Sequence, residues 1–316
     1  MNFEIDERII LLVKHGSHAY GLNIETSDVD IKGVAIEPRQ YHFGFLNVFE
    51  QHEQLAAKGH PADKTVYSLK KFAKLAADCN PSIIEVLHVD DSDVLHIDEF
   101  GEALRSIRDE FLSRKARHTF SGYAHQQLHR IKTHREWLLN PPKECPTRTS
   151  FGLSETNKVT KSELGAYDAM NVDGKSDVQL SQSVVTLFVK EKAYQAARTR
   201  YDQYLNWVST RNPARAELEA KFGYDTKHGC HLIRLMRMCK ELGQTGKIQV
   251  KRPDREELLG IRFGKRSYDD LIEEAENLER ECKDIYETSL LPHSPDKNKL
   301  DTFVIDLTER YLLKYG

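Results

Sequence analysis

Long apolar runs are missing from this chain of 316 residues. No stretch reaches the roughly 18 consecutive apolar residues of a transmembrane helix, so we expect no membrane-spanning segment. The N-terminus, MNFEIDERIILL, carries acids before its apolar run and has no small-residue cleavage site, so we do not expect a signal peptide. A surplus of positive charge is also missing, because the formal net charge is −3. Any attraction to nucleic acid must therefore come from local patches.

Cysteine is scarce and shows no pairing pattern. The five cysteines are odd in number and scattered, and none forms a Cys-x-x-Cys pair, so the sequence predicts no zinc site. This usage favours reduced thiols in a cytoplasmic protein. The chain is long enough for one or two domains, and its mean hydropathy of −0.59 indicates a soluble, rather polar protein.

The stretch IILLVKHGSHAYGLNIETSDVDIKG, residues 9–33, carries the strongest pattern in the chain. Its short apolar opening, ended by Gly16, predicts a buried strand. Gly16 has no Cβ, so a ligand phosphate can approach the backbone there. We expect Ser17 to cap a short helix around Ala19, and the free N–H groups of a helix start suit an anion.

Two aspartates follow on the next predicted strand. Asp28 and Asp30 are two positions apart, so their side chains project from the same face of a strand. Magnesium takes oxygen ligands and readily shares them with substrate phosphates. The pair therefore predicts a site for Mg²⁺.

Gly16, Ser17, Asp28 and Asp30 together resemble the signature of the DNA polymerase β nucleotidyltransferase superfamily, Gly-Ser followed after about ten residues by Asp-x-Asp. The fuller GSHAYGL…TSDVDIKG is similar to the predicted nucleotidyltransferases named for an RNA repair pathway. The segments NPSIIEVL, GYDTKHGCHLIRLMR and GKIQVKRPDREELLGIRFG resemble the same branch. Residues 143–180 carry no such resemblance.

The resemblance implies an active site with two divalent ions, Mg²⁺ or Mn²⁺, and a third carboxylate. Asp63 is the preferred candidate, because it leads into KTVYSL, a strand expected to return beside Asp28. Glu50 and Glu53 are the alternatives. Asp28, Asp30 and Asp63 are thus the predicted catalytic and metal-binding residues.

The fold that we expect is α+β, with a mixed-sheet nucleotidyltransferase core and a mostly helical C-terminal region. The expected catalytic domain is 1–98, and the expected helical domain, 99–316, would complete the cleft for nucleotide and acceptor. In the first part we expect strands over 47–54 and 64–69 and helices over 68–77 and 83–89, and Ser82 is expected to cap the second helix. In the second part we expect helices over 102–117, 123–139, 183–208, 214–222, 228–242, 253–259, 267–286 and 299–315, and a short strand over 245–250.

A basic stretch, residues 113–135, contains six Arg or Lys, four His and no acid. Cations, amides and an aromatic ring on one helix face suit phosphates and bases, although a solvated helix face would look the same. The residues that we assign to acceptor binding are Lys115, Tyr123, Gln127, Arg130 and Lys132.

A second cationic face is predicted downstream. Lys227, His231 and Arg234 have the spacing of one helix face. Such a face needs an anion, and a triphosphate near Asp28 would supply one. An intramolecular salt-bridge face is the alternative. We assign these three residues, with Gly16 and Ser17, to nucleotide binding.

The expected activity is transfer of a nucleoside monophosphate from a nucleoside triphosphate to a hydroxyl, with release of pyrophosphate. The basic helix and the branch name favour an RNA or other polynucleotide end as acceptor. Transfer to a protein or small-molecule hydroxyl is the first alternative. A non-catalytic nucleotide-binding module is the second, although intact Asp28 and Asp30 argue against it.

Overall fold

The computed structural model describes residues 3–56, 62–156, 158–172 and 181–316. The sequence also predicts a loop over residues 58–61, and these residues lie outside this part of the chain. The described residues divide into two compact units. The first combines the chain up to Lys132 with Tyr224–Gly316, and the second is Thr133–Gly223.

A five-stranded mixed sheet forms the centre of the first unit. Its strands are β1 (Ile9–His15), β2 (Val29–Ala35), β3 (Gln51–Gln54), β4 (Ala62–Ser68) and β5 (Val94–Ile97). The strand order is β3-β4-β2-β1-β5. β2 and β4 are parallel, whereas the pairs β1/β2, β1/β5 and β3/β4 are antiparallel. The predicted buried first strand and the returning strand beside the aspartates are confirmed.

Helices accompany the sheet strands in the first unit. They are α1 (Gly16–Ala19), α2 (Arg39–Phe43), α3 (Leu69–Ala77), α4 (Pro81–His88) and α5 (Glu99–Ser106). α3, α4 and α5 pack on the sheet, and α5 does so very closely. A Cβ added at Gly101 of α5 would lie 2.1 Å from the Ile10 carbonyl oxygen of β1. Only glycine allows α5 this position.

The remaining helices are α6 (Lys115–Leu139), α7 (Lys161–Val172), α8 (Gln182–Thr210), α9 (Pro213–Phe222), α10 (Thr226–Thr245), α11 (Arg255–Arg262), α12 (Tyr268–Thr288) and α13 (Lys297–Tyr315). In the first unit α10 packs against α11 and α12, and α13 packs against α3. α10 is largely buried because both its apolar side and Arg234 face the interior. The expected α+β fold, a mixed sheet followed by helices, is confirmed.

The second unit has its own apolar and ionic contacts. Trp137 at the end of α6 packs against Tyr204 and Trp207 of α8. Arg148 and Glu191 form a buried ion pair at 2.8 Å. The predicted division of the chain at residue 98 stays a prediction, because compactness alone does not decide which part carries catalysis.

Several local predictions are wrong. Ser17 does not cap α1, because the N-cap is the extended residue His15 and no side chain caps this helix. Asn80, not Ser82, caps α4 and accepts a hydrogen bond from the Ser82 N–H. The sequence predicts separate helices over 102–117 and 123–139, but α6 continues through Gly122 without a break. The segment 247–250 forms no strand.

Candidate active site

A cavity of about 430 Å³ opens in the first unit, where β1 ends and β2 and β4 begin. Its walls also include α1, α4, α10 and α11. The cavity brings together seven of the eight residues that the sequence assigns to catalysis or nucleotide binding. They are Gly16, Ser17, Asp28, Asp30, Asp63, Lys227 and His231.

Strand register brings the carboxylates together. Asp30 of β2 lies directly opposite Asp63 in the parallel ladder with β4, and Asp28 precedes β2 by one residue. Neighbouring strands lie roughly 4.8 Å apart, so the two opposed aspartates are close enough to share a ligand. Asp63 also accepts a hydrogen bond of 2.6 Å from the backbone N–H of Ala56, which fixes one carboxylate oxygen.

The two alternative carboxylates make other contacts. Glu50 pairs with Lys71 at 3.0 Å, and the Glu53 carboxylate accepts a hydrogen bond from Gln51. Among the described residues that line the cavity, neither glutamate appears. The geometry thus favours Asp63 over Glu50 and Glu53 as a third carboxylate.

Gly16 is required by both conformation and space. Its φ is +62°, in the left-handed region that side chains rarely adopt, and a Cβ there would lie 2.1 Å from Oδ2 of Asp30. The close approach follows from the antiparallel pairing of His15 with Asp30. The turn therefore lies directly against a carboxylate of the cavity.

Arg234 is the assigned nucleotide-binding residue that does not line the cavity. Its guanidinium is buried, with 4% of the residue exposed, and donates a 2.6 Å hydrogen bond to Oε1 of Glu85. It also lies over the Tyr20 ring, 3.7 Å from the ring centroid. The salt-bridge alternative therefore describes Arg234, whereas Lys227 and His231 of the same helix line the cavity.

Glu85 is a buried hub that the sequence did not reveal. Its Oε2 accepts a 2.6 Å hydrogen bond from the Tyr20 hydroxyl and lies 3.2 Å from Nε2 of His15. Burial alone would raise the pKa of Glu85, but Arg234, His15 and Tyr20 outweigh burial and lower it. Since His15 and Tyr20 flank the Gly16-Ser17 turn, this hub holds both ends of the turn.

Burial lowers the pKa of two of the basic side chains at the cavity. It lowers the pKa of His231 well below its usual value, and the neighbouring Arg234 and Lys227 lower it further. The His231 imidazole is therefore neutral near pH 7 and can hydrogen-bond without adding charge. Burial likewise lowers the pKa of Lys32, while Glu85 and Asp30 act in the opposite direction.

Residues 2–140 match the family model of RlaP, the RNA repair pathway DNA polymerase beta family. The match contains Gly16, Asp28, Asp30 and Asp63, and it confirms the resemblance that the Gly-Ser and Asp-x-Asp motifs predict. Residues 141–316 lie outside it. No curated protein and no solved structure matches the chain.

The residues assigned to acceptor binding do not line the cavity, and three of the five are engaged within the fold. Lys115 pairs with Asp78 at 3.1 Å, Tyr123 accepts a hydrogen bond from Asn80, and Gln127 contacts His228 at 2.7 Å. Arg130 and Lys132 of α6 are exposed and form no ion pair with any residue that the structure describes. Among the assigned acceptor residues, these two cations are the ones available to a ligand.

Lys32, Thr65 and Ser82 also line the cavity, and sequence reasoning did not assign them. Lys32 could have been found, because it follows Asp30 by two positions on the same strand and so shares its face. Ser82 could not, since its place beside Lys32 depends on how α4 packs on the sheet.

None of the helices in the described part of the chain is long and apolar enough to cross a membrane.

Proposed function

We propose that the protein is a Mg²⁺-dependent nucleotidyltransferase that transfers a nucleoside monophosphate from a nucleoside triphosphate to the end of an RNA. The observation that carries the proposal is the alignment of Asp30 with Asp63, beside Asp28, in a cavity whose wall includes Gly16. The match of residues 2–140 to an RNA repair polymerase beta family supports both the reaction type and the acceptor.

The three carboxylates fit divalent metal ions. Mg²⁺ and Mn²⁺ prefer oxygen ligands, and these side chains offer six carboxylate oxygens. Within the described part of the chain, Asp28, Asp30 and Asp63 form no ion pair, so their oxygens are not engaged by a described cation. We propose two ions, which would neutralise phosphate charge and lower the pKa of the attacking hydroxyl.

The remaining residues position the substrates. The Gly16-Ser17 turn and Lys227 would hold the triphosphate, and neutral His231 would offer a hydrogen bond. The acceptor hydroxyl would give up its proton to solvent while its oxygen forms a bond to the α-phosphorus. The bond from that phosphorus to the bridging oxygen would break, and pyrophosphate would leave. The protein contributes mainly position and charge, as in other phosphoryl transfers.

The proposal keeps residues 1–98 as the catalytic domain. The cleft is completed from 99–316 by α10, which carries Lys227 and His231. Arg130 and Lys132 on α6 would contact the RNA backbone. Lys115, Tyr123 and Gln127 are less suited to this role, because each already has a partner within the fold.

The test is incubation of the protein with each α-³²P-labelled nucleoside triphosphate and Mg²⁺, in the presence of RNA, DNA or no added acceptor. A denaturing gel then separates labelled polynucleotide from labelled protein. We expect label on RNA and none with EDTA. Label on the protein, or on a small molecule seen by thin-layer chromatography, would replace RNA as the acceptor. Label nowhere, with nucleotide bound, would support a non-catalytic module.

A further inference from the structure

Lys32 and Thr65 form a second row of the cavity wall behind the aspartates. Lys32 lies opposite Thr65 in the parallel ladder, as Asp30 lies opposite Asp63. Alternation along a strand places Lys32 on the face that Asp30 occupies, and all four residues line the cavity. One cation, Lys32, and the neutral Thr65 thus lie directly beside the carboxylates.

The Lys32 ammonium is held by neutral oxygens. Its Nζ donates a hydrogen bond to Oγ of Ser82, the second residue of α4, and lies 3.4 Å from the Ser82 carbonyl oxygen. No carboxylate of the described residues lies within 4.0 Å of this nitrogen. The Lys32 side chain is nevertheless half-buried.

Glu85 and Asp30 attract the Lys32 ammonium electrostatically without pairing with it, and both carboxylates have other roles. Glu85 is committed to Arg234, Tyr20 and His15, and Asp30 belongs to the proposed metal site. Burying a cation is costly unless an anion pairs with it. The cavity therefore contains an ammonium whose direct partners are neutral and which faces a space able to hold an anion.

We propose that Lys32 and Ser82 form a polyphosphate subsite of the cavity. Nζ of Lys32 would donate to a non-bridging oxygen of a triphosphate or pyrophosphate chain, while Ser82 fixes the direction of the ammonium. The inference rests on the proposed function for the identity of the substrate. It adds a cation on the sheet side of the cavity, separate from the Gly16-Ser17 turn and from Lys227 on α10.

The experiment is calorimetric titration with inorganic pyrophosphate and with ATP, in Mg²⁺, of the wild type and four variants. Lys32→Met removes the ammonium, and Lys32→Gln removes the charge but keeps a hydrogen-bond donor. Ser82→Ala removes the hydroxyl that orients Nζ. Lys14→Met is the matched control, because Lys14 lies on the adjacent strand β1 but does not line the cavity. Circular dichroism checks that each variant is folded.

We expect both Lys32 variants to weaken pyrophosphate and ATP binding by at least about tenfold, the usual loss for one hydrogen bond to a charged group. Ser82→Ala should weaken binding less, and Lys14→Met should match the wild type. Equal binding by Lys32→Gln and Lys14→Met would overturn the subsite, as would a wild type that binds neither ligand.

The subsite and the proposed function can fail separately. If the wild type labels RNA and Lys32→Gln labels it with an unchanged KM for the triphosphate, the subsite is wrong and the function stands. If pyrophosphate binding depends on Lys32 but no acceptor is ever labelled, the subsite stands and the proposed function fails.

Discussion

Arg234→Met is expected to destabilise the first unit strongly. The variant leaves the Glu85 carboxylate buried, with 1% of the residue exposed, and removes its cationic partner at 2.6 Å. Breaking a buried ion pair from one side costs about 3–5 kcal/mol of unfolding free energy. The Tyr20 hydroxyl still donates to Glu85, so we expect the lower end of this range.

A double variant separates the destabilisation caused by losing the ion pair from that caused by leaving a buried charge unpaired. Glu85→Gln combined with Arg234→Met leaves a neutral amide that can still accept from Tyr20. We therefore expect the double variant to be more stable than Arg234→Met by about 1 kcal/mol or more.

The lowered pKa of Glu85 sets the direction in which the unfolding free energy changes with pH. The folded-state pKa of Glu85 is lowered, so its contribution to stability is present above the unfolded pKa, about 4.3, and is lost as the pH falls below it. Without Arg234 the pKa of Glu85 rises, so Arg234→Met should lose less unfolding free energy than the wild type over this acid window.

The assay must report on the first unit. Both tryptophans of the chain, Trp137 and Trp207, lie in the second unit, so tryptophan fluorescence is unsuitable. Hydrogen exchange measured by mass spectrometry on peptides of β1 and α4 reports the correct unit. A loss below about 1 kcal/mol, or a double variant no more stable than the single one, would refute the reasoning.

Three further predictions concern the turn, a helix cap and the basic face. Gly16→Ala should lower kcat/KM for transfer by tenfold or more in a folded protein, since its Cβ would meet Asp30 and the left-handed backbone alone costs about 1–2 kcal/mol. Ser68→Ala should cost about 1 kcal/mol in thermal unfolding, because Ser68 caps α3, and should leave KM unchanged. Charge reversal of Arg130 and Lys132 should flatten the salt dependence of RNA affinity in a filter-binding assay, by roughly 0.7 per lost contact, with nucleotide binding preserved.

Local sequence patterns were sufficient to predict the motif residues. The apolar strand, Gly16 and the Asp28-Asp30 pair follow from period-2 alternation and turn chemistry within a short segment. Asp63 required one further step, the expectation that its strand returns beside Asp28, and the parallel register of β2 and β4 agrees with that expectation.

The residues that sequence analysis missed are brought to the site by packing between segments far apart in the chain. Glu85 and Arg234 lie 149 positions apart, and no local pattern reveals that an acid on α4 neutralises a cation on α10. For the same reason Arg234 was assigned to the nucleotide instead of to the fold.

The wrong local predictions have physical causes. A strand over 245–250 would need a partner to supply its hydrogen bonds, and none is present among the described residues. Gly122 did not break α6, because one glycine costs only about 1 kcal/mol in a helix of 25 residues.

The transfer rate of Asp63→Asn, measured beside Glu53→Gln, tests the central claim most directly. Both variants replace one carboxylate by an amide near the same edge of the sheet, but Asp63 lines the cavity and Glu53 does not. With labelled triphosphate, Mg²⁺ and RNA, we predict that Asp63→Asn lowers kcat by about 100-fold or more, while Glu53→Gln retains wild-type turnover. Wild-type turnover by Asp63→Asn, or its loss in Glu53→Gln alone, would contradict the assignment of the site.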